Sequence, residues 1–260
     1  MTTQQIIAVN KPISLTPLDA IELFKTKYPE YKTSKIGYAG RLDPMASGML
    51  LLLIEDANLR RKEFEMLEKV YEFEVLFGIE TDTYDVMGMI QSEAISPLLT
   101  EQSVVTTLNG FKGTFTQPYP PFSSARVDGK PLYYWARAGK LAEHTIPTKE
   151  VTVHDISMID ARDISIEEVL ENVIQRISKT KGEFRQAEII ETWKKQIEVM
   201  KSKQIQTLPL YRFTASVSSG TYIRSIAHTL GKLLETPAIA YSIQRTTVGD
   251  FTLGESYELS

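Results

Sequence analysis

The 260-residue sequence predicts an α+β fold in which strands and helices share one mixed sheet. Three observations predict it. Apolar runs of strand length recur along the chain, and segments with helical periodicity fall between them. The two do not alternate in the regular βαβ order of a doubly wound sheet. Residues 165–203 carry two consecutive helical stripes, which predict a helical hairpin inserted between two strands.

From the N-terminus, Ile6 to Val9 is a short apolar run ending at Asn10-Lys11-Pro12, a strand entering a turn. Thr16-Pro17 supplies a helix N-cap and a proline at the first helical position, with Asp19 in the first turn. Leu18, Ile21 and Phe24 give that helix an apolar stripe. Residues 37–48 form a loop with glycines at 37, 40 and 48 and Pro44 between them. The loop feeds Met49 to Ile54, apolar throughout and too short for a typical helix, which predicts a central strand buried on both faces. A helix over 57–67 follows. From Val70 to Phe77 the residues Tyr71, Phe73, Val75 and Phe77 alternate with Val70, Glu72, Glu74 and Leu76, the period of a strand. Thr81 to Gly88 is a turn-rich link to another short strand.

Residues 118–130 make a proline-rich loop, and helix resumes over 132–138. Strands are expected at 151–160, 211–217 and 239–248, with a helix over 222–234. In the inserted hairpin, Ser165-Ile-Glu-Glu168 fits a capping box, and Ile166, Val169, Leu170, Val173, Ile174 and Ile177 recur at helical spacing. Lys181-Gly182 breaks the helix. Phe184, Ala187, Ile190, Trp193, Ile197 and Met200 then stripe a second one, so the hairpin is expected to pack on itself and on the body. There is no internal repeat or low-complexity tract.

Composition excludes several classes. Hydrophobic residues at 42% and charged residues at 24% are ordinary for a soluble globular chain able to bury a sizeable core. No apolar run approaches the roughly 20 residues of a bilayer span, so no membrane association is expected. Met1 to Gln5 show neither a basic nor an apolar leader region, which makes the cytoplasm the expected location. With no cysteine, disulfides, thiol nucleophiles and cysteine zinc sites are excluded. His144, His154 and His228 lie far apart without ligand spacing, so no metal is expected. A net charge of −4 argues against tight non-specific binding of nucleic acid. It leaves room for a focused groove, because basic residues gather at Arg60-Arg61-Lys62 and between Arg126 and Lys140.

The chemistry centres on Gly37-Tyr-Ala-Gly-Arg-Leu-Asp-Pro-Met-Ala-Ser-Gly48. On the residues alone, Asp43 is either a turn cap ahead of Pro44 or a carboxylate at a strand mouth that acts as a nucleophile or stabilises charge. The pattern Gly-x-x-Gly-x-Leu-Asp-Pro-x-Ala-Ser-Gly resembles the catalytic loop of the TruB-type tRNA pseudouridine synthases. Further pieces recur in the family's order: Lys11-Pro12, Lys69-Val-Tyr71, Thr81-Asp-Thr-x-Asp-x-x-Gly88, Ser219-Gly-Thr-Tyr-Ile-Arg224 and Ile243-Gln-Arg245. Together they cover roughly residues 6–158 and 210–250. The resemblance implies the pseudouridine synthase fold, a mixed, mainly antiparallel central sheet flanked by helices. It also implies isomerisation of a T-loop uridine of tRNA (position 55), with base flipping and no cofactor.

Carried over residue by residue, the resemblance makes Asp43 the essential carboxylate. Tyr71 becomes the tyrosine that stacks on the base and is placed to move a proton at the sugar. Arg224 becomes the arginine paired with Asp43, an attractive role because a helix N-terminus otherwise disfavours a cation. Tyr222 and Ile243 would line the base pocket, since a uracil face suits aromatic and aliphatic surfaces. Lys11, Arg41 and Lys69 are candidate substrate contacts. Tyr38 departs from the family, which typically offers histidine there; a tyrosine can still stack in the space the flipped base vacates.

Two larger departures concern organisation. The family usually continues into a small C-terminal PUA domain, whereas residues 1–260 are expected to form one catalytic domain without it. The hairpin at about 165–203 is not part of the family pattern. The tRNA T-arm is the expected partner and a monomer the expected state. Alternatives are a synthase for another RNA, a non-catalytic tRNA-folding chaperone, and a two-carboxylate glycoside hydrolase using Asp82 or Asp85, whose turn-like context favours a structural role.

Overall fold

A computed structural model describes residues 6–94 and 99–259; the leader reading of Met1 to Gln5 lies outside them. Strand β1 (Ile6–Lys11) leads into helix α1 (Pro17–Lys27), capped by Thr16 as the sequence predicts, with Asp19 completing a reciprocal box. Strands β2 (Ile36–Ala39) and β3 (Ala46–Ile54) follow, then a 3₁₀ stretch at Glu55–Arg60, helix α2 (Arg61–Met66) and β4 (Lys69–Phe77). Strands β5 (Ile79–Thr81) and β6 (Ile90–Glu93) form a small hairpin around the turn at 82–89. Helix α3 (Glu101–Asn109) and β7 (Gly113–Pro118) come next, then β8 (Arg126–Val127), β9 (Lys130–Pro131) and α4 (Leu132–Arg137). The chain continues through β10 (Thr148–Ser165), α5 (Ile166–Lys179), α6 (Gln186–Ser202), β11 (Thr207–Val217) and α7 (Ile223–Leu233). It ends with β12 (Ala238–Val248), β13 (Phe251–Thr252) and β14 (Tyr257–Glu258).

Ten strands form one sheet with the main order β14-β1-β3-β12-β4-β11-β10-β7, while β2 pairs with β3 and β13 with β12. Among the described strand pairs of this sheet, only β1–β14 and β12–β3 run parallel, so the expected mixed, mainly antiparallel sheet is present. The alternation read in β4 holds: Tyr71, Phe73, Val75 and Phe77 are buried while Glu72 and Glu74 are half-buried. Strand β3 is buried from Met49 to Ile54 with one apolar cluster on each face, as an uninterrupted apolar run requires.

The structure corrects several expectations. Leu18 is 65% exposed; α1 buries Ala20, Ile21 and Phe24 instead, and Leu18 stands at the mouth of a pocket beyond the sheet. The helix expected over 57–67 begins as the 3₁₀ stretch, and regular helix starts only at Arg61. Strand β10 is far longer than its apolar centre, because pairing with β11 through two register shifts carries it to Ser165. In α6 the buried face is Ile189, Trp193, Ile197 and Met200 rather than a stripe through Ala187 and Ile190. Helix α3 and strand β7 were not anticipated; their surface is polar enough to hide the periodicity.

The inserted hairpin is built into the body. Ile166, Val169, Val173 and Ile177 of α5 join the buried face of α6 in the cluster that holds Phe73, Phe213 and Leu230. Trp193 is fully buried and its indole N–H donates to the Gly88 carbonyl at 3.1 Å. Among the described residues no helix is long and apolar enough to cross a membrane, and no cluster of side chains could hold a metal ion.

Candidate active site

The loop between β2 and β3 is held by its backbone. Gly40 takes a positive φ of 71°, and Arg245, 1% exposed on β12, donates to the carbonyls of Gly40 (3.3 Å), Arg41 (3.2 Å) and Met49 (2.8 Å). At Gly48, with φ 103°, a side chain is impossible: a Cβ would lie 2.3 Å from the Arg245 carbonyl oxygen. The Asp43 carbonyl accepts from the Ala46 amide at 3.0 Å, and that of Pro44 from the Ser14 amide at 2.7 Å. The loop therefore presents the Asp43 side chain from a rigid base, 40% exposed and facing a cavity of about 880 Å³.

Across that cavity the first turn of α7 brings Arg224 to Asp43, with Nε 2.8 Å from Oδ2. The contact is ionic rather than an aligned hydrogen bond, since the Nε–H is not directed along it. Arg224 is 3% exposed, and its Nη1 donates to the Thr83 carbonyl at 2.7 Å. A second carboxylate, Asp85, stands 3.5 Å from the same Nε. Asp85 is buried; one of its oxygens accepts from the Thr83 hydroxyl (2.6 Å) and the Met87 amide (2.8 Å). Burial lifts its pKa from 3.8 to about 6 against the opposing pull of Arg224. Two carboxylates and a carbonyl thus explain a buried cation at a helix N-terminus.

The walls are aromatic and aliphatic. Tyr71 on β4 and Ile243 on β12, 8% and 6% exposed, line the pocket beside Asp43. Tyr222 caps α7, and its phenol is pushed up to about 12 by burial and then by Asp43, which keeps it neutral. Gln117 of β7 fixes it, accepting from the Tyr222 amide (2.8 Å) and donating to its carbonyl (3.2 Å). Tyr119 meets the Tyr222 ring edge-on at 5.6 Å. Tyr38 lies on the opposite wall beneath the Arg61 guanidinium, 5.1 Å from its ring centre, and Arg41 is exposed at the rim.

Eight of the nine residues singled out in the sequence, Asp43, Tyr71, Arg224, Tyr38, Tyr222, Ile243, Arg41 and Lys69, line this one cavity. Lys11 does not. Its ammonium is fully buried behind the loop and donates to the carbonyls of Pro12 (2.9 Å), Leu15 (2.7 Å) and Ala46 (2.6 Å), leaving no N–H for a substrate. It braces the entry to β3. Lys69 faces the pocket, but its ammonium is engaged by the carbonyls of Glu65 and Leu67, and burial lowers its pKa to about 8. The pairing of Asp85 with Arg224, the part played by Gln117 and the loop-holding role of Arg245 escaped the sequence reading. Asp85 and Arg245 lay inside recognised motifs, whereas Gln117 carries no signal. Asp82 is occupied by Arg185 at 2.7 Å, and Asp85 lies buried against Arg224, so neither stands free as the second acid of a glycosidase.

A carboxylate in a glycine loop, clamped by a buried arginine and walled by tyrosines, makes an enzyme pocket. The model of the TruB family pseudouridylate synthase (N terminal domain) matches residues 27–184. The tRNA pseudouridine synthase B of Fusobacterium nucleatum subsp. nucleatum is 31% identical over 248 residues, covering 95% of this chain and 69% of that protein. That of Aquifex aeolicus is 27% identical over 253 residues, covering 97% and 71%. Among solved structures, the fold resembles a chain of the archaeal box H/ACA sRNP Nop10-Cbf5 complex, with TM-score 0.56 and 17% identity over 98% of this chain and 51% of that one. A chain of an H/ACA RNP bound to a substrate RNA containing 2'-deoxyuridine gives TM-score 0.55 and 18% identity, over 98% and 50%. This chain spans about half the length of those two structural relatives. The chain belongs to the TruB family of pseudouridylate synthases.

Proposed function

We propose that the chain converts a uridine in the T-loop of tRNA, position 55, to pseudouridine, with Asp43 as the essential carboxylate. The observation that carries this reading is the ion pair of Asp43 with the buried Arg224 at the floor of a tyrosine-lined cavity. The substrate class follows from relatives whose names are tRNA pseudouridine synthase B.

The reaction keeps every atom of the nucleoside. The N1–C1′ bond breaks, the uracil turns, C5 bonds to C1′, C5 gives up its proton and N1 gains one. No oxidant or co-reactant enters this balance. Asp43 attacks the ribose or the base. Arg224 keeps the carboxylate charged and oriented, and Tyr71 stacks on the base and serves as the proton carrier at the sugar. Tyr222, Ile243 and Tyr71 hold the detached base beside the sugar, so that recombination outruns escape. The uridine must first leave the T-loop stack at a cost of a few kcal/mol; Tyr38 fills the vacated space and Arg41 steadies the backbone at the rim. The purified protein, incubated with an unmodified tRNA transcript, should yield pseudouridine at one T-loop position, read by mass or reverse-transcription stops. Product elsewhere in the RNA would reject the T-loop assignment, and no product in any RNA would reject the enzyme reading.

A further inference from the structure

The α5–α6 insertion does more than fill the core, because its tip forms part of the pocket wall. Glu183, Phe184 and Arg185 line the cavity opposite α7. The tip is built stiffly: the Gln186 amide donates to the carbonyls of Thr180 (3.2 Å) and Gly182 (2.6 Å), and its oxygen accepts from the Phe184 amide at 3.0 Å. Arg185 sits in the left-handed region at φ 59°, an arrangement uncommon for a non-glycine residue and retained only where surroundings impose it.

What Arg185 touches gives the strain a purpose. Its guanidinium takes both oxygens of Asp82, at 2.7 and 3.3 Å, with the two side chains only 18% and 19% exposed. Asp82 immediately precedes Thr83, whose carbonyl accepts from Arg224. On its other side Arg185 lies over the Phe122 ring, 4.4 Å from the centroid. Phe122 belongs to the segment that runs over the cavity from Tyr119 to Arg137. A second tie joins the same two parts, for Arg137 donates to the Glu183 carbonyl at 2.8 Å. One side chain of the insertion therefore links the turn behind the catalytic pair to the segment covering the pocket.

We propose that Arg185 is a positioning residue, and that the insertion holds the 119–137 segment down on the pocket so that it grips the substrate. The substrate half of this inference rests on the proposed RNA isomerisation; the mechanical half does not. The planar guanidinium is suited to the task, since it pairs with a carboxylate in its plane while its face covers an aromatic ring.

Arg185→Gly is the informative variant, because glycine is at ease at φ 59° and the side chain is lost without backbone strain. Released from its tie, the segment should be nicked by trypsin at Arg126, Arg137 or Lys140 about tenfold faster than in the wild type, with an unchanged urea midpoint. With a tRNA transcript, KM should rise about tenfold while kcat stays within about twofold. Phe122→Leu should do the same, and the double variant should lose no more than either single one, the signature of two residues acting as a unit. Unchanged nicking in Arg185→Gly, or additive losses in the double variant, would overturn the proposal. So would a lowered urea midpoint without faster nicking, which would reduce Arg185 to a brace within the hairpin. Should the wild type modify no RNA, the isomerase reading falls and the nicking rates still decide the role of Arg185.

Discussion

Replacing Asp85 by asparagine separates stability from activity in this pocket. The asparagine oxygen can keep the bonds from the Thr83 hydroxyl and the Met87 amide, while the charge 3.5 Å from Arg224 disappears. At that distance and an effective dielectric of about 20, the lost attraction is about 5 kcal/mol. The cost of burying the carboxylate is larger still, because the pKa rises from 3.8 to about 6 instead of falling. That shift means the folded site disfavours the charged form by about 3 kcal/mol above pH 6. Arg224 retains Asp43 as a partner, so no buried charge is orphaned. Asp85→Asn should therefore unfold at an equal or higher urea concentration at pH 8, by up to about 3 kcal/mol. Its activity should fall at least about tenfold, because an amide N–H now faces the guanidinium and Arg224 loses its second anchor. The pH dependence has a definite sign. With the folded pKa above the unfolded one, the wild type gains stability relative to the variant as pH falls from about 6 toward 4. Wild-type activity should drop over the same interval, whereas the variant should show no step there. Release of label from C5 of uridine measures activity, and urea titration at pH 8 and pH 5 measures stability. A variant clearly less stable than the wild type at pH 8 would refute the reasoning, since the charge would then be a net stabiliser.

Other perturbations probe the scaffold. Gly48→Ala forces a Cβ to 2.3 Å from the Arg245 carbonyl at φ 103°, and should cost several kcal/mol, seen as loss of soluble protein or of the urea transition. Trp193→Ala, at a fully buried site between the insertion and the body, should cost about 3–5 kcal/mol; a peripheral hairpin would lose far less. Burial pushes the Lys11 ammonium down to about 7, so the unfolded chain holds the extra proton between about pH 7 and its ordinary value of 10.5. Wild-type stability should thus climb relative to Lys11→Met across that window, and parallel urea midpoints in the two proteins would contradict this.

Much of this was legible before any coordinates. Period-two burial in β4, the uninterrupted apolar run of β3 and the Thr16–Asp19 cap are local signals that tertiary packing reinforced. The pocket residues were legible for another reason: short motifs keep their spacing, and Asp43, Tyr71 and Arg224 meet although they come from three distant segments. What failed was non-local. Nothing in the stretch around Gln117 announces that a glutamine will clamp the Tyr222 backbone more than a hundred residues later. Lys11 was read as a substrate contact because sequence alone does not reveal three carbonyls converging on its ammonium. Leu18 obeyed the helical period yet faces the pocket mouth, since periodicity marks a side of a helix and not where the sheet beneath it ends.

The most direct measurement compares wild type with Asp43→Asn on one unmodified tRNA transcript, scoring C5 label release and RNA binding together. The account predicts that the asparagine variant binds the RNA with affinity within about threefold of wild type and forms no pseudouridine in the T-loop. Continued label release by that variant would contradict it, because some group other than the carboxylate beside Arg224 would then be driving the isomerisation.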